Sequence, residues 1–539
     1  MGPVPCCYSF PVHHIHSSAW RWVLLSALLQ VLIFPLPGLY WLSWIAFTPL
    51  IVALLRARTS DTLQLDDAAV LIPATPWQGF LLAYACGVLW YAGTCYWIYD
   101  TMHHYGGLPA PVAAVMLAAF CLYLGLYHGL FGFLLTLVAR RRSVNRVAFM
   151  SLPFLWVAVE LARSRVTSFP WELLGSAQVD HISLSRIASF TGVYGISFEI
   201  MLVNTAFAAA FLVRREKRNL LLVASLAATV MLQGGRWLQP PPEPADRSAL
   251  LVQTNIPILM GDTWTKDYFD GTLRDLTWIS LHSSAASNQN PALIVWPESP
   301  APFFTGDPLF RDAVGNVART SGAWVIAGAI GTPAMGEAAA TPTDTFNSAA
   351  LFNPAGELAA RYDKIHLVPF GEYVPARSYF PFMDMLTKAV GEFQRGHSRA
   401  PLNAGGIPLG LFICYESIFP DEIRQFARNG AQVLLNVSND GWYGDSGAYA
   451  QHLQMTRMRA IENHRWLLSA TNTGVTAAID PDGRVVARVE RKLRTTLSAP
   501  YALLSANTFY TTHGDWFAYA CAIISLGALL FARFKPTLQ

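Results

Sequence analysis

Residues Leu411–Pro420 read LFICYESIFP, an apolar run that is interrupted by a cysteine and followed at once by a tyrosine and a glutamate. This is the pattern of a buried strand that presents one reactive side chain at its end. Cys414 is the only cysteine between the N-terminal apolar segments and the last one, so its own region offers no disulfide partner. A lone thiol there is either inert core, since free cysteine is among the most buried residue types, or a nucleophile. This stretch alone leaves both interpretations open.

The composition indicates a protein that lies largely in a membrane. The chain has 539 residues, of which 53% are hydrophobic and 14% are charged. In a soluble chain about a quarter of the residues are charged. The formal net charge of +3 gives no basis for a nucleic-acid partner. Of the seven cysteines, Cys6 and Cys7 lie at the very start and four more fall inside apolar segments, so no disulfide framework is predicted.

Apolar segments of membrane-spanning length fill the first half of the chain, and a further one ends it. A span needs about 20 mostly apolar residues. The sequence predicts eight, near residues 19–36, 38–55, 78–98, 110–139, 147–163, 193–213, 218–234 and 515–533.

Basic residues predict the orientation of these segments, because Lys and Arg stay preferentially on the cytoplasmic side. They follow the second, fourth, sixth and eighth segments: Arg56, Arg58, Arg140, Arg141, Arg142, Arg146, Arg214, Arg215, Lys217, Arg218, Arg533 and Lys535. Both termini are therefore expected in the cytoplasm and the large region 235–514 outside. The loop 164–192 fits this scheme less well, since it should be external yet carries Arg165 and Arg186.

The Pro-rich residues 237–248 have neither a helical nor a strand period and mark a domain boundary. The predicted units are a tail (1–18), a bundle of seven segments (19–236), this linker (237–248), an α/β domain (249–510) and a C-terminal membrane helix (514–534).

Short apolar runs alternate with amphipathic stretches in the region after the linker. The runs predict strands at Leu250–Gln253, Leu293–Trp296, Ala323–Ala329, Ser348–Phe352, Leu409–Tyr415, Val433–Val437 and Leu467–Ala470. The stretches predict helices at 264–287, 308–320, 420–429 and 448–465. Such alternation is typical of an α/β domain with a buried sheet. Turn signals at Asn353–Gly356 and Asp480–Gly483 predict hairpins within it.

Three residues at predicted strand ends form a candidate nucleophilic site. Glu298 ends the stretch LIVWPESP, where a buried carboxylate is costly unless it has a partner or a task. Lys364 and Glu372 lie on either side of an apolar turn in YDKIHLVPFGEY, and by itself Lys364 is interpreted as a surface lysine. Taken together, Glu298 can accept the thiol proton, Cys414 can attack a carbonyl and Lys364 can stabilise the oxyanion.

The stretches WPES, YDKIHLVPFGEY and GLFICYES resemble the Glu-Lys-Cys triad of the nitrilase superfamily, whose domain is a four-layer αββα sandwich. With the membrane segments and the phrase SNDGWYGD at 438–445, nearly the whole chain resembles the apolipoprotein N-acyltransferase family, the membrane-bound branch of that superfamily. The resemblance places the triad on Glu298, Lys364 and Cys414 and a supporting glutamate on Glu372. It places substrate-binding positions on Trp264, Asn347, Tyr415, Glu416 and Trp442. The sequence contains no metal motif and no phosphate-binding Gly-rich loop, so we expect no cofactor and no metal.

The resemblance also implies a ping-pong reaction at a membrane. Cys414 would take an acyl chain from a phospholipid as a thioester. The α-amine of the S-diacylglyceryl cysteine at the N-terminus of an apolipoprotein would then accept that chain. The family implies the bacterial inner membrane, with the catalytic domain on the periplasmic side.

Four further residues have two interpretations each. Trp264 and Trp442 resemble the family's aromatic residues on mobile arms over the pocket, but tryptophan is also enriched at membrane interfaces for packing alone. Glu160 and Glu199 are expected near external helix ends, as functional groups inside a bilayer or as snorkelling or Arg-paired side chains.

His452 lies on a predicted helix after Cys414 and has no metal-ligand spacing to a partner.

Two rival functions fit parts of the sequence. A membrane-tethered nitrilase-type amidase would pass its thioester to water, and only the lipid-facing context argues against it. A transporter or receptor with an external binding domain would leave the three strand-end residues unexplained, and the spans carry no visible internal repeat.

Overall fold

The computed structural model describes residues 14–59, 71–139, 146–212, 215–237, 239–258, 264–286, 291–298, 301–333, 344–373 and 393–534. Most of the predicted tail lies outside these residues, as do Cys6, Cys7 and the basic residues Arg140, Arg141, Arg142, Arg214 and Lys535 of the predicted topology.

The first part of the chain is helical. Its helices are α1 (Ser17–Ile33), α2 (Thr48–Leu55), α3 (Pro76–Thr94), α4 (Trp97–Asp100), α5 (Ala110–Val138), α6 (Arg146–Ala162), α7 (Ile182–Ser185), α8 (Ala188–Thr191), α9 (Val193–Leu212) and α10 (Arg215–Gly234). A small antiparallel pair, β1 (Arg58–Thr59) and β2 (Leu71–Ile72), follows α2. Leucine, tryptophan and phenylalanine side chains bury these helices against one another in one apolar core.

Several of these helices have the length and apolarity of membrane spans. Among the described residues, the stretches Ala110–Val138, Arg146–Thr167, Val193–Leu212, Arg218–Trp237 and Trp516–Phe534 each qualify, and Pro76–Thr94 with Trp97–Tyr105 forms a sixth if that pair, bent by 52°, is one span. The predicted segments 19–36 and 38–55 are shorter than expected. They correspond to α1 and to a 3₁₀ turn, Tyr40–Trp44, followed by α2. The count of eight spans therefore stays a prediction.

The second part of the chain is an α/β domain. Its strands are β3 (Arg247–Gln253), β4 (Leu293–Val295), β5 (Trp324–Gly331), β6 (Phe346–Phe352), β7 (Leu358–Asp363), β8 (Leu402–Asn403), β9 (Pro408–Ile413), β10 (Val433–Ser438), β11 (Leu467–Thr471), β12 (Thr476–Ile479), β13 (Val485–Val489) and β14 (Thr495–Tyr501). Its helices are α11 (Lys266–Ala286), α12 (Pro308–Ser321), α13 (Pro420–Arg428), α14 (Ala448–Asn463) and α15 (Phe509–His513), after which α16 (Trp516–Phe534) returns to the bundle.

The strands form two six-stranded sheets, ordered β14-β3-β4-β5-β6-β7 and β13-β12-β11-β10-β9-β8. One apolar core joins the inner faces of both sheets, while α11 and α12 cover the outer face of the first. Ile423 and Phe426 of α13 and Ala460 of α14 pack against the second sheet. The layers are thus helix, sheet, sheet and helix, as the resemblance implies. β3, β4 and β5 are parallel, as are β9, β10 and β11, and β10 is buried along its whole length.

The predicted strands are all present, with shifted ends. The strand expected at Leu409–Tyr415 ends at Ile413, because Cys414 adopts a left-handed φ of 49° and opens the 3₁₀ turn Cys414–Ile418. The two predicted turns join β6 to β7 and β12 to β13 as antiparallel pairs. The edge strand β14 was not predicted, and it is stabilised by its pairing with β3, which lies far away in the sequence.

Helix α14 docks the α/β domain on the bundle. Gln451 accepts a hydrogen bond from the Trp171 indole (2.9 Å) and donates to the carbonyls of Pro35 and Thr94. Glu462 accepts from the backbone N–H of Val193 at the start of α9 (3.1 Å). Buried polar contacts of this kind fix the orientation of one unit on the other.

The two arginines that disturbed the predicted topology pair with this domain. Arg165 lies 2.9 Å from Asp421 and 2.6 Å from Asp515, and Arg186 forms two bonds of 2.7 Å to Asp482. The loop 164–192 thus lies on the same side as the α/β domain. These ion pairs explain why the loop carries two arginines, so the arginines do not require the loop to lie in the cytoplasm.

Candidate active site

Strand ends from both sheets converge on one buried cluster. In the second sheet Ile413 pairs with Val437, so Cys414 after β9 lies beside Ser438 at the end of β10. In the first sheet Ser348 pairs with Asp363, so Asn347 lies beside Lys364 directly after β7. The backbone N–H of Lys364 donates to the carbonyl of Asn347 (2.8 Å). In α/β proteins, ligands bind at the carboxyl ends of strands. In this domain both sheets contribute strand ends to the cluster.

Lys364 is held between two carboxylates. Its Nζ lies 2.9 Å from Glu372 Oε1 and 3.3 Å from Glu298 Oε1, and its side chain is 1% exposed. Burial opposes the charge of the ammonium group, but Glu298 and Glu372 outweigh burial and raise the pKa of Lys364 above its usual value. Lys364 is therefore a fixed cation at neutral pH, suited to stabilise an oxyanion and unsuited to accept a proton. The interpretation of Lys364 as a surface lysine is wrong.

Asn347 joins the two carboxylates through its amide group. Its Nδ2 donates to Glu298 Oε1 (2.7 Å) and to Glu372 Oε1 (2.6 Å). Glu298 Oε2 accepts from the backbone N–H of Asn439 (2.8 Å), which follows the end of β10, and Glu372 Oε2 accepts from the N–H of Val368 (2.8 Å). Each glutamate is thereby anchored at both oxygens, with Glu298 spanning the two sheets.

Cys414 is buried at the start of the nucleophile turn, which we define as Cys414–Ile418. Burial raises the pKa of the Cys414 thiol, the nearby Glu298 carboxylate raises it further and Lys364 lowers it, with a net rise. The resting group is therefore the thiol, and it needs a base to become a nucleophile. Glu298 acts electrostatically on the thiol and is a candidate for that base.

Glu416 braces the nucleophile turn from inside the protein. Its carboxylate accepts the backbone N–H groups of Ile413, Ile365 and His366 and both oxygens lie 2.9 Å from the Tyr362 hydroxyl. Burial raises the pKa of Glu416 to about 6, opposed by these N–H donors. The carboxylate thus ties the segment after Lys364 to the segment around Cys414.

Known proteins were compared with this chain. Residues 260–506 match the carbon-nitrogen hydrolase family, and residues 26–206 match the apolipoprotein N-acyltransferase N-terminal domain. An apolipoprotein N-acyltransferase of Geobacter metallireducens is 35% identical over 520 residues, which cover 94% of each chain. One of Ralstonia nicotianae is 32% identical over 87% of this chain and 88% of its own.

The chain belongs to the apolipoprotein N-acyltransferase family. Among solved structures, an amidase of Nesterenkonia sp. AN1 is 20% identical and matches 52% of this chain and 98% of its own, with a TM-score of 0.37. The predicted family membership is confirmed. The family member described here carries the carbon-nitrogen hydrolase match on its α/β domain and the N-terminal family match on its helical bundle.

Three aromatic positions that the family resemblance singled out lie outside the hydrogen-bonded cluster described above. Tyr415 is buried in the nucleophile turn with its ring 5.3 Å from Phe419. Trp264 lies just before α11, its ring 5.1 Å from Tyr268. Trp442 is 42% exposed, and its carbonyl accepts from the Thr101 hydroxyl of the bundle (3.0 Å). Their predicted part in substrate binding stays a prediction.

The sequence assigned no role in the site to Asp440 or His452. Asp440 and His452 converge on the nucleophile turn, from the end of β10 and from α14. The phrase SNDGW was noticed as a family signature, but nothing in the spacing connected Asp440 to His452.

Glu160 has a different partner from the one expected. It is buried in α6 and accepts the backbone N–H of Leu174 (2.8 Å), whereas Arg163 donates to Tyr91 (2.8 Å) and Arg165 pairs with the α/β domain. Glu199 lies half-buried in α9.

Proposed function

We propose that this chain is an N-acyltransferase that moves a fatty acyl chain from a phospholipid, through a thioester on Cys414, to the α-amine of the S-diacylglyceryl cysteine of an apolipoprotein. The observation that carries the proposal is the buried arrangement of Glu298, Lys364 and Cys414, in a domain docked on a bundle of apolar helices. The named relatives are apolipoprotein N-acyltransferases along nearly their whole length.

The first half-reaction would acylate Cys414. Glu298 takes the thiol proton, and the thiolate sulfur attacks the ester carbonyl of the phospholipid, whose oxygen becomes an oxyanion beside the Lys364 ammonium. The C–O bond of the ester then breaks. Glu298 returns its proton to the departing alkoxide, which leaves as a lysophospholipid.

The second half-reaction would discharge the thioester. The neutral α-amine of the acceptor attacks the thioester carbonyl, Lys364 again stabilises the oxyanion, and the C–S bond breaks. Glu298 removes the amine proton and returns it to the leaving thiolate, so the enzyme ends as it began. Glu372 and Asn347 would hold Lys364 and Glu298 in place during both steps, since each contacts one or both of these groups.

The membrane setting follows from the two lipid-anchored substrates. We infer a bacterial inner-membrane protein with both termini in the cytoplasm and the α/β domain on the periplasmic side. The basic loops of the sequence support this orientation, and the pairing of Arg165 and Arg186 with the α/β domain removes the exceptions. Trp442, exposed beside the bundle, would contact the acyl chain of the donor.

The acceptor distinguishes the transferase from an amidase or other hydrolase. The purified protein is supplied with a phospholipid carrying a labelled acyl chain and with an S-diacylglyceryl-cysteinyl peptide, and the products are separated by chromatography. We expect label on the peptide, and none on a matched peptide whose α-amine is acetylated. Labelled free fatty acid with both peptides, and no labelled peptide, would make the hydrolase the correct function.

Glu416 provides a test of positioning against substrate binding. In Glu416→Gln one oxygen that accepts backbone N–H groups becomes an NH₂ donor, so we expect the free energy of unfolding to fall by about 1 to 3 kcal/mol. We expect kcat to fall while KM stays unchanged. In the described part of the chain, every contact of the Glu416 side chain is with another group of the protein.

The control is Glu422→Gln on α13, which weakens the pairing of the buried Glu422 side chain with Arg399 and His366. It should lower the thermal unfolding temperature similarly and leave kcat unchanged. A raised KM with unchanged kcat in Glu416→Gln would instead assign Glu416 to substrate binding.

A further inference from the structure

His452 and Asp440 form a buried pair against the nucleophile turn. His452 is 2% exposed, and its Nδ1 lies 3.4 Å from Asp440 Oδ1. Its Nε2 lies 3.0 Å from the carbonyl oxygen of Cys414 and 2.8 Å from the Ser417 hydroxyl. The Cys414 sulfur, an Asp440 oxygen and a His452 ring nitrogen all lie within 4.8 Å of one another.

The neighbours of the ring determine its protonation state. The Asp440 carboxylate and the Cys414 carbonyl only accept hydrogen bonds, so both are satisfied when each ring nitrogen carries a proton, and the Ser417 hydroxyl can accept from the same Nε2–H. Burial lowers the pKa of His452, but the Asp440 carboxylate and the Cys414 carbonyl outweigh burial and raise it above its usual value. These contacts favour the imidazolium form of His452, in which neither ring nitrogen has a lone pair free to accept the thiol proton.

We propose that His452, held as a cation by Asp440, is a positioning residue that pins the backbone carbonyl of Cys414 and stabilises the Cys414 thiolate. This inference rests on the proposed role of Cys414 as the nucleophile. It assigns His452 a task different from proton removal, which stays with Glu298.

The charges around Cys414 explain why a second cation is needed. The Glu298 and Asp440 carboxylates both disfavour a negative sulfur. Lys364, which also neutralises Glu372, is the cation that opposes them, together with a hydrogen bond from Ser438. Without a cation beside it, the Asp440 carboxylate would oppose the formation of the Cys414 thiolate. The positive charge of His452 offsets the negative charge of Asp440, so the repulsion that Asp440 exerts on the sulfur is reduced.

The groups that face His452 come from several elements. Asp440 and the Tyr443 ring come from the segment after β10, Glu298 from the end of β4, and Cys414 and Ser417 from the nucleophile turn. From the bundle, the Trp171 ring stacks on the imidazole with centroids 6.5 Å apart and planes at 17°. The cation is thus shielded from water by both units of the protein, so its field on the sulfur is weakly screened.

The test measures the reactivity of Cys414 as a function of pH. The full-length protein in detergent is alkylated with iodoacetamide between pH 5 and 10, and modification of the Cys414 peptide is followed by mass spectrometry. Two variants are compared with the wild type. His452→Gln keeps an N–H donor near the position of Nε2, whereas His452→Asn keeps one near Nδ1.

Both variants lose the cation, so we expect the pH at which Cys414 becomes reactive to rise by about one unit, which slows alkylation roughly tenfold at pH 8. His452→Gln should retain more of the single-turnover acylation rate than His452→Asn, because it keeps the bond to the Cys414 carbonyl. Thermal unfolding identifies any variant that fails to fold.

Two results would overturn the inference. An unchanged alkylation profile in a folded variant would make the role of His452 purely structural. The wild type could instead show an alkylation rate that increases near pH 6 to 7. If that increase were absent in both variants, His452 would be the general base. The alkylation profile needs no acyl transfer, so its outcome is independent of whether the wild type forms an acyl-enzyme.

A measurement on the wild type alone remains decisive if neither variant folds. Histidine-selective ¹⁵N spectra at pH 8, where an ordinary histidine with a pKa of about 6.5 is neutral, should retain at least one imidazolium. Spectra in which every histidine is neutral at that pH would contradict the proposal.

Discussion

Replacing Cys414 with alanine abolishes acyl-enzyme formation and lowers the rate of lysophospholipid release by a factor on the order of 10⁶, as loss of a nucleophile does in other covalent mechanisms. The thiol is the strongest nucleophile among the described groups of the site, because Glu298 and Glu372 are held by Lys364 and Asn347 and the Lys364 ammonium has no free electron pair. Intact-mass spectrometry after incubation with one defined phospholipid detects the result. The wild type should gain one acyl mass that hydroxylamine removes.

The matched control is Cys521→Ala, which removes another buried free cysteine, in α16 and outside the active-site cluster. It should keep the wild-type adduct. An acyl adduct of normal yield on Cys414→Ala would move the nucleophile elsewhere. A folded wild type that forms no adduct but still binds phospholipid would restore the receptor or transporter as the better account.

Replacing Lys364 with methionine has the second largest expected effect, on both rate and stability. The oxyanion loses its cation, and removal of one such donor costs roughly 10²- to 10³-fold in kcat. Glu298 and Glu372 are then left close together in a buried site, joined only by Asn347. Removing one partner of a buried ion pair costs about 3 to 5 kcal/mol at neutral pH.

The stability loss should depend on pH with a definite sign. In Lys364→Met one of the two carboxylates binds a proton more tightly in the folded than in the unfolded protein, so its folded pKa is raised. Stability linked to such a group is present at low pH and is lost as the pH rises through the raised pKa. The gap in unfolding temperature between wild type and variant should therefore narrow towards pH 5 and widen towards pH 8.

Lys492→Met is the control for Lys364→Met. Lys492 lies in the same domain, 55% exposed, and pairs with the exposed Asp445. A surface pair of this kind contributes about 0 to 1 kcal/mol, so this variant should unfold and turn over like the wild type. If Lys364→Met acylated Cys414 at the wild-type rate, Lys364 would not be the oxyanion donor.

Much of the fold was predictable because burial leaves local traces. Apolar runs such as Val433–Val437 became core strands, and the polar residues that end such runs, Glu298 and Cys414, lie at the converging strand ends. Where prediction was inaccurate, a distant partner had decided the conformation. β14, for example, depends on its pairing with β3, which lies far away in the sequence.

The sequence by itself determined the family, the α/β class of the second domain and the identity of the residues that carry the proposed chemistry, because each is encoded in a short contiguous stretch. The tertiary structure alone decided the charge states and the hydrogen-bond partners of those residues. Lys364 is a buried cation only because Glu298 and Glu372 meet it from separate segments, and Arg165 faces Asp515 across 350 positions. His452 reaches the carbonyl of Cys414 from 38 residues away. Charge states and hydrogen bonds depend on distances in space, and only the packed chain sets those distances.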